Sequence, residues 1–587
     1  MITLMYNPSD LRYIFFTGDA DELASCRSKA KSKRHVNLED YLNQIPQYMF
    51  LPSFRGTPSP EVFLHKFKSK AGQDIYYCHS GLWKTILDWC EKKGIKVEYD
   101  NEKMDFFKYT DFDMDLDEFT EYVNSWEITL TPYPYQLKAA WLILHYRQSL
   151  SQLATRAGKT LIAYIVFRYL LEHGAHKILM VVPNTTLVKQ AVEDFDDYKE
   201  YFMSETVWAD GELVEGSNLT VGTFQSLVKK ADKKSTKYDP HFFDPYDVVL
   251  VDEAHTLKCD SINKILNQPF AKNLKLKFGF SGSLPDEDEI DSFCCHALMG
   301  PTIQDIRSKE LMDGGFITPI DITQIRIKHD ETPELNQLYI RCGEYLNGVS
   351  TMESYIDKHG KMKKREKLLP LEQREFTIQV EKTLPLVLRD MKQQIIDGEI
   401  TEDEYREYLV DLCKAKGSNI LMLEQMLVHR DQKRLDVMED LLKSFKKNCI
   451  VFAHHTEYLK YLYKYFKEKF PDRPIYLIHG ETTEKNRDKI KTSLLTDMGA
   501  ILFASYGCVG TGLTLKNIDY GIFAQSFKSH IINKQALGRG LCLANDKDKY
   551  YLYDLVDVYP TNRLYTQGVA KMKLFKNEKF DTRIVNR

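Results

Sequence analysis

Two short stretches of this chain hold residue types that, spaced as they are, could handle a phosphate anhydride. Ala154-Thr155-Arg156-Ala157-Gly158-Lys159-Thr160 runs into a segment of apolar helical period: Leu161, Ile162, Ile165, Val166, Tyr169 and Leu170. Glycine, lysine and threonine at a helix start offer backbone N–H groups, a cation and a hydroxyl to phosphates. The second stretch is Leu250-Val251-Asp252-Glu253-Ala254-His255. It follows Tyr246-Asp247-Val248-Val249, so the run reads as a buried parallel strand that ends in two carboxylates. An aspartate at such a strand end can ligate Mg²⁺, and the adjacent glutamate can activate water. Either string alone occurs by chance. Both, in this order and both on strand ends, point to nucleoside triphosphate hydrolysis.

Those residues need a scaffold of alternating strands and helices, and the pattern between Thr131 and Pro319 supplies one. Lys177–Pro183, Leu219–Gly222, 247–252 and Phe278–Ser283 read as its core strands. A second alternating block has strands near 449–453, 475–478, 500–504, 519–524 and 550–554, so two similar α/β domains in series are expected. Between them, 332–445 shows few strand signals and many charges, and reads as a mostly helical insertion with a lead-in. Its Lys361–Lys367 run reads as a solvated arm, with a clamp over duplex DNA or a partner-docking arm as the functional alternative. Ahead of the first block, Gly81–Gly94 is an amphipathic helix closed by glycine, followed by a short strand, Ile95–Tyr99. The first 115 residues therefore read as a small α+β accessory domain with possible DNA binding. The five positive charges between Arg27 and Arg34 read as a solvated loop that could touch phosphates, and the acidic stretch Asp111–Glu118 as a linker.

Bulk properties bound the rest. A chain of 587 residues holds about three domains at roughly 150 residues each. A net charge of −4 excludes a protein that coats nucleic acid by charge alone, though not a local groove. The 11 cysteines form no C-x-x-C pair, which suits a reducing compartment and gives no zinc pattern. No apolar run approaches the roughly 18 residues of a membrane span. A cytosolic or nucleoplasmic location is expected.

The order of motifs resembles the superfamily 2 helicases of the DEAH type, and in several details the phage branch-migration helicases among them. The resemblance covers 131–330 and 419–557 well. It implies two RecA-like parallel-sheet domains in tandem, with the small N-terminal domain and the insertion added; the expected limits are 1–115, 116–330, 331–445 and 446–587. It also implies ATP and Mg²⁺. In Pro132-Tyr133-Pro134-Tyr135-Gln136, Gln136 would read the adenine edge, because an amide both donates and accepts. Thr155, Ala157 and Gly158 would bring backbone to the phosphates, with the Arg156 side chain outward. Lys159 would bridge the β- and γ-phosphates, Thr160 and Asp252 would hold Mg²⁺, and Glu253 would be the general base. His255, Ser281, Ser283 and Gln535 would couple nucleotide state to strand grip. Asn184, Thr185, Thr223 and Gln225, on strand-end loops, would hold a nucleic-acid backbone without reading sequence. Gly512 matches the nucleotide-facing glycine of motif V, and Arg539 the arginine finger of motif VI. The chain departs from the pattern at Cys542, where the family has a second arginine, which a thiol cannot replace.

The activity so implied is ATP-dependent remodelling of single-stranded, forked or branched DNA in replication, recombination or repair. Replication or recombination proteins are possible partners, and the location is host cytoplasm if the chain is phage-encoded. Three alternatives stay open: an RNA helicase, a slow-turnover nucleotide-gated clamp, and the motor subunit of a restriction complex.

Overall fold

A computed structural model describes residues 1–6, 10–18, 42, 63–99, 108–109, 111–207, 214–258, 260–272, 274–285, 290–329, 350–356, 362–368, 431–506, 517–525, 533, 536–538, 540–543, 547–558 and 563–587. The chain divides into two compact units, Met1–Ile317 and Thr318–Arg587.

Among its described residues the first unit contains two sheets. The smaller has the spatial order His65–Lys68, Asp74–His79, Tyr13–Gly18, Ile2–Tyr6, Val97–Tyr99, antiparallel throughout except for the last pair. Strict alternation sends Ile2, Leu4, Ile14, Phe16, Tyr76 and Cys78 to one face, where they pack on Ile86 and Trp89 of the helix Trp83–Lys93. That helix ends where the sequence placed its stop, at Gly94 with φ +69°. Its core also takes in Phe293, Cys294 and Ala297 from the helix Ile290–Met299. The small sheet and its helix are thus welded, through Ile290–Met299, to the rest of the unit. Gly81 makes the weld possible, since a Cβ there would collide with the His296 carbonyl. The acidic stretch read as a linker instead opens a helix, Leu116–Asn124. Asp115 accepts from the Asp117 and Glu118 amides at 2.9 Å each, and Glu118 reaches back to the Asp115 amide at 3.1 Å. Carboxylates belong at that end because the helix dipole is positive there.

The larger sheet of this unit has seven parallel strands in the order Thr302–Ile306, Gln148–Leu153, Leu276–Ser281, Val248–Asp252, Ile178–Val182, Leu219–Thr223, Ser204–Val207. Its central strands are apolar runs because both faces are covered by crossover helices, including Lys159–Glu172 and Thr185–Tyr198. Val249 and Val251 point to one side of the sheet, where they join Leu150, Leu179 and Val181 in one core.

The second unit repeats the plan. Seven parallel strands run in the order Ile475–Ile478, Ile501–Ser505, Cys449–Ala453, Tyr520–Phe523, Tyr550–Val558, Ile320–Lys328, Asp581–Asn586. The boundary between units therefore lies at Ile317/Thr318 and not at 330. Ile320–Lys328 has an apolar/polar alternation that names no parent sheet, and its register with Tyr550–Val558 assigns it to the second one. Within 331–445 the described residues form an antiparallel hairpin, Ser350–Ile356 with Met362–Leu368, and the helix Gln432–Ser444. The basic run expected to be an arm is thus a strand over most of its length. No helix among the described residues is long and apolar enough to cross a membrane.

Candidate nucleotide site and strand-end loops

The strand Gln148–Leu153 delivers the chain to a tight loop, and Gly158 turns it into the helix Lys159–Glu172 with φ +73°. Two constraints require glycine here. The left-handed backbone disfavours any Cβ, and a Cβ would collide with the Gln136 amide nitrogen. Gln136 is buried, and its Nε2 donates to the Ala157 carbonyl at 3.1 Å, while its Oε1 accepts from the Tyr133 amide at 2.9 Å. In this structure Gln136 is thus a brace under the loop, with its acceptor already engaged. Tyr135 donates its hydroxyl to the same Ala157 carbonyl at 3.0 Å. Tyr133 and Tyr135 both pack on Phe316, with ring centroids 4.6 and 4.9 Å away. The tyrosines were visible beside Gln136 in the sequence. Phe316, more than 150 positions on, carried no signal at all.

Lys159 Nζ lies 3.3 Å from Glu253 Oε1 and 3.9 Å from Asp252 Oδ1, which joins the two sequence motifs in space. These three side chains are 16–19% exposed, so the cluster is reachable yet shielded enough for charges to matter. Burial pushes the Asp252 carboxyl up, and Lys159 only partly offsets this. For Glu253 burial acts in the same direction, but Lys159 and His255 outweigh it and hold the carboxyl well below its ordinary range. Glu253 also has φ +52°, an uncommon conformation for a residue with a side chain. Asp252 Oδ1 is buried without a hydrogen-bond partner. A solvent-excluded carboxylate oxygen left without a donor suits a hard cation such as Mg²⁺.

His255 Nδ1 sits 3.2 Å from Glu253 Oε2 and 3.0 Å from Ser281 Oγ. Ser281 gives its single proton to the Ser283 carbonyl at 2.8 Å and accepts from the Ser283 amide at 3.2 Å. His255 Nδ1 must then be the donor to both Ser281 and Glu253. A continuous path therefore runs Lys159, Glu253, His255, Ser281, Ser283.

Other expected residues fall less simply. The Thr160 hydroxyl lies close enough to Asp194, on the helix Thr185–Tyr198, to favour its charged form. Burial pushes that carboxyl up to about 6, a partner no sequence motif announced. Thr155 lies beside Gly282, where an added Cβ would come within 3.6 Å of its hydroxyl. Arg156 was expected to point outward, but its Nη2 is buried and its backbone is left-handed at φ +74°. Asn184 caps the helix Thr185–Tyr198 by accepting from the Leu187 amide at 3.1 Å. Thr223 caps Phe224–Ala231 by accepting from the Ser226 amide at 3.3 Å. Both polar groups are thus spent on the fold, while Thr185 and Gln225 stand exposed. The strands before these loops are neighbours, with Val182 registered against Thr223, so both loops leave the same edge of the sheet. Gly512, Gln535 and Arg539 lie outside the described residues. Cys542 is described: it is buried, and its carbonyl accepts the Thr318 hydroxyl at 2.7 Å.

Residues 129–284 match the family described as type III restriction enzyme, res subunit, and 433–542 match the helicase conserved C-terminal domain. With one match on each of two seven-stranded parallel sheets, the chain is a superfamily 2 helicase, an ATP-hydrolysing enzyme. Over 524 residues it is 24% identical to the ATP-dependent DNA helicase uvsW of Enterobacteria phage T4, covering 85% of this chain and 86% of that one. The uncharacterized ATP-dependent helicase YqhH of Bacillus subtilis is 30% identical over 154 residues, 26% of each chain. The crystal structure of T4 UvsW aligns over 100% of this chain and 99% of that chain, with 20% identity and a TM-score of 0.39.

Proposed function

We propose that the protein couples ATP hydrolysis to movement along nucleic acid, and that its substrate is DNA in single-stranded, forked or branched form. The observation that carries the reading is the cluster of Lys159, Asp252 and Glu253 at the mouth of a glycine-turned loop. The choice of DNA is supported by the relative matched across most of both chains, which is named a DNA helicase.

In this reading Lys159 leaves the carboxylates for the β- and γ-phosphate oxygens when ATP binds. Its departure removes the main cation holding Glu253 at low proton affinity, so Glu253 becomes a better base at the moment one is needed. Glu253 takes a proton from water as the water oxygen attacks the γ-phosphorus. The bond to the bridging oxygen breaks, releasing ADP and phosphate. Mg²⁺, when bound, offsets phosphate charge; Asp252 and Thr160 are the residues that would hold it. His255 passes the charge state of Glu253 to Ser281 and Ser283. Thr185 and Gln225, with the helix N-termini at their loops, grip backbone phosphates, and Arg539 supplies the transition-state cation. Gln136 contacts adenine only by giving up a brace it makes here.

The test is ATP turnover by the purified chain alone and then with single-stranded, duplex and forked DNA and with RNA. Stimulation of about tenfold or more by single-stranded or branched DNA is expected. Greater stimulation by RNA would reassign the substrate. Slow, flat turnover with every polymer would overturn the motor in favour of a nucleotide-gated clamp, a reading favoured by Cys542 in place of the second motif VI arginine.

A further inference from the structure

The small N-terminal sheet has a second face that its own core does not use. Alternation places Tyr13, Phe15, Phe67 and Tyr77 there, opposite the buried Ile14, Phe16 and Tyr76. The rings form one continuous patch. Tyr77 lies 5.8 Å from Tyr13, 6.0 Å from Phe15 and 5.9 Å from Phe67, and Phe15 lies 6.4 Å from Phe67. Phe67 is 44% exposed, on the edge strand, and the other three are partly exposed. A small sheet that could have closed this face with threonines instead presents four aromatic rings side by side.

Cations border the patch. The Arg12 guanidinium stands 5.3 Å over the Tyr13 ring, and Asp10 neutralises it at 2.7 Å. Lys277, at the start of the neighbouring large-sheet strand, has no carboxylate partner among the described residues. Burial and the nearby Arg12 together lower its ammonium to about 8, which is what a lysine without a counter-ion shows. Its influence reaches the patch, because it is among the charges that disfavour protonation of His79, whose ring lies 4.9 Å from Tyr13.

We infer that this face binds single-stranded nucleic acid, with bases stacked on Tyr13, Phe15, Phe67 and Tyr77 and a backbone phosphate on Lys277. Rings side by side next to an uncompensated cation suit that ligand, because every base has a π-face and every linkage carries a negative charge. An apolar protein segment would satisfy the rings and leave Lys277 unpaired. The inference rests on the proposed nucleic-acid motor for its ligand class, and adds a contact outside the strand-end loops.

The experiment uses the full chain without nucleotide, a fluorescein-labelled 20-nucleotide oligo(dT) read by anisotropy, and the same oligonucleotide carrying 5-iodouracil for photocrosslinking. The double variant Phe15→Ala/Phe67→Ala is expected to weaken binding about tenfold or more, since a single stacked base can be worth that much. Phe67→Trp is expected to retain affinity, and Lys277→Gln to lower both affinity and its salt dependence. ATP turnover without DNA stays unchanged, and crosslinks fall on the strand Asp74–His79. Folded variants that bind as tightly as the parent, or crosslinks confined to the strand-end loops, would remove the aromatic site. If DNA still stimulated turnover, the motor would survive that loss. A parent protein that binds no polymer would remove both.

Discussion

The two large sheets have the same strand count and the same all-parallel pairing, yet they treat their strand-end carboxylates in opposite ways. In the first unit, Asp252 and Glu253 meet Lys159 at 3.9 and 3.3 Å in a partly exposed pocket, and one Asp252 oxygen has no donor. In the second, Asp557 is buried between the guanidinium of Arg434 and His329 Nε2, the latter at 2.9 Å. Arg434 also donates to the Ala524 carbonyl and, at 3.3 Å, to the Tyr458 hydroxyl. Three residues further back on the same strand, Asp554 is sealed by Lys571 and by Gln324 Nε2 at 3.1 Å. The difference is one of satisfaction and access. Carboxylates with both oxygens paired in a dry core are staples, whereas carboxylates sharing one reachable lysine can exchange it for a ligand.

The largest effects should come from breaking the exchangeable set. Glu253→Gln is expected to lower ATP turnover by about 10²–10⁴-fold, the usual worth of a general base, while ATP binding survives. Lys159→Ala is expected to abolish nucleotide binding. Equilibrium binding of a fluorescent ATP analogue beside steady-state turnover checks both. ATP binding unchanged in Lys159→Ala would end the assignment of this loop to phosphate.

Breaking a staple should be felt in folding. Arg434→Met leaves Asp557 with half its partners in a dry site, and about 3–5 kcal/mol of stability should be lost. Urea unfolding monitored by circular dichroism measures this. A cost below about 1 kcal/mol would mean that the two sheets do not differ in this way.

The smallest effect is the dependence of the same Asp557 staple on pH. Burial lowers the His329 pKa, but hydrogen bonds and charge from Asp431 and Asp557 outweigh it and raise it to about 9. A raised pKa means that the stabilisation is complete below the unfolded value of 6.5 and is lost as pH rises through about 9. The loss should come to about 3 kcal/mol, because a tenfold change in proton affinity is worth about 1.36 kcal/mol. Melting temperature of the second unit should therefore fall across pH 6.5–9, and His329→Gln should flatten the profile. A parent profile already flat would show that His329 is neutral in the fold.

Much of this site was legible before any coordinates. Gly158, Lys159, Asp252 and Glu253 stand out because the phosphate chemistry proposed for them calls for those residue types, and the strand and helix periods fix where they sit. Gly94 marked a helix end for a similar local reason. The 3.3 Å contact between Lys159 and Glu253, by contrast, joins positions 94 apart, and only the parallel pairing of intervening strands brings them together. The same holds for Phe316 against Tyr133, for Asp194 near Thr160, and for Lys277, whose charge reaches His79. None has a neighbour in sequence that signals its use. The strand Ile320–Lys328 was assigned to a sheet by pairing alone, and Gln136 became a brace because the folded loop put an open carbonyl within its reach. Sequence thus determined the chemistry on offer and the local elements that present it, since both depend on residue type and short-range period. Tertiary structure decided which carboxylates are reachable and which are sealed, because that depends on what packs over them from distant parts of the chain.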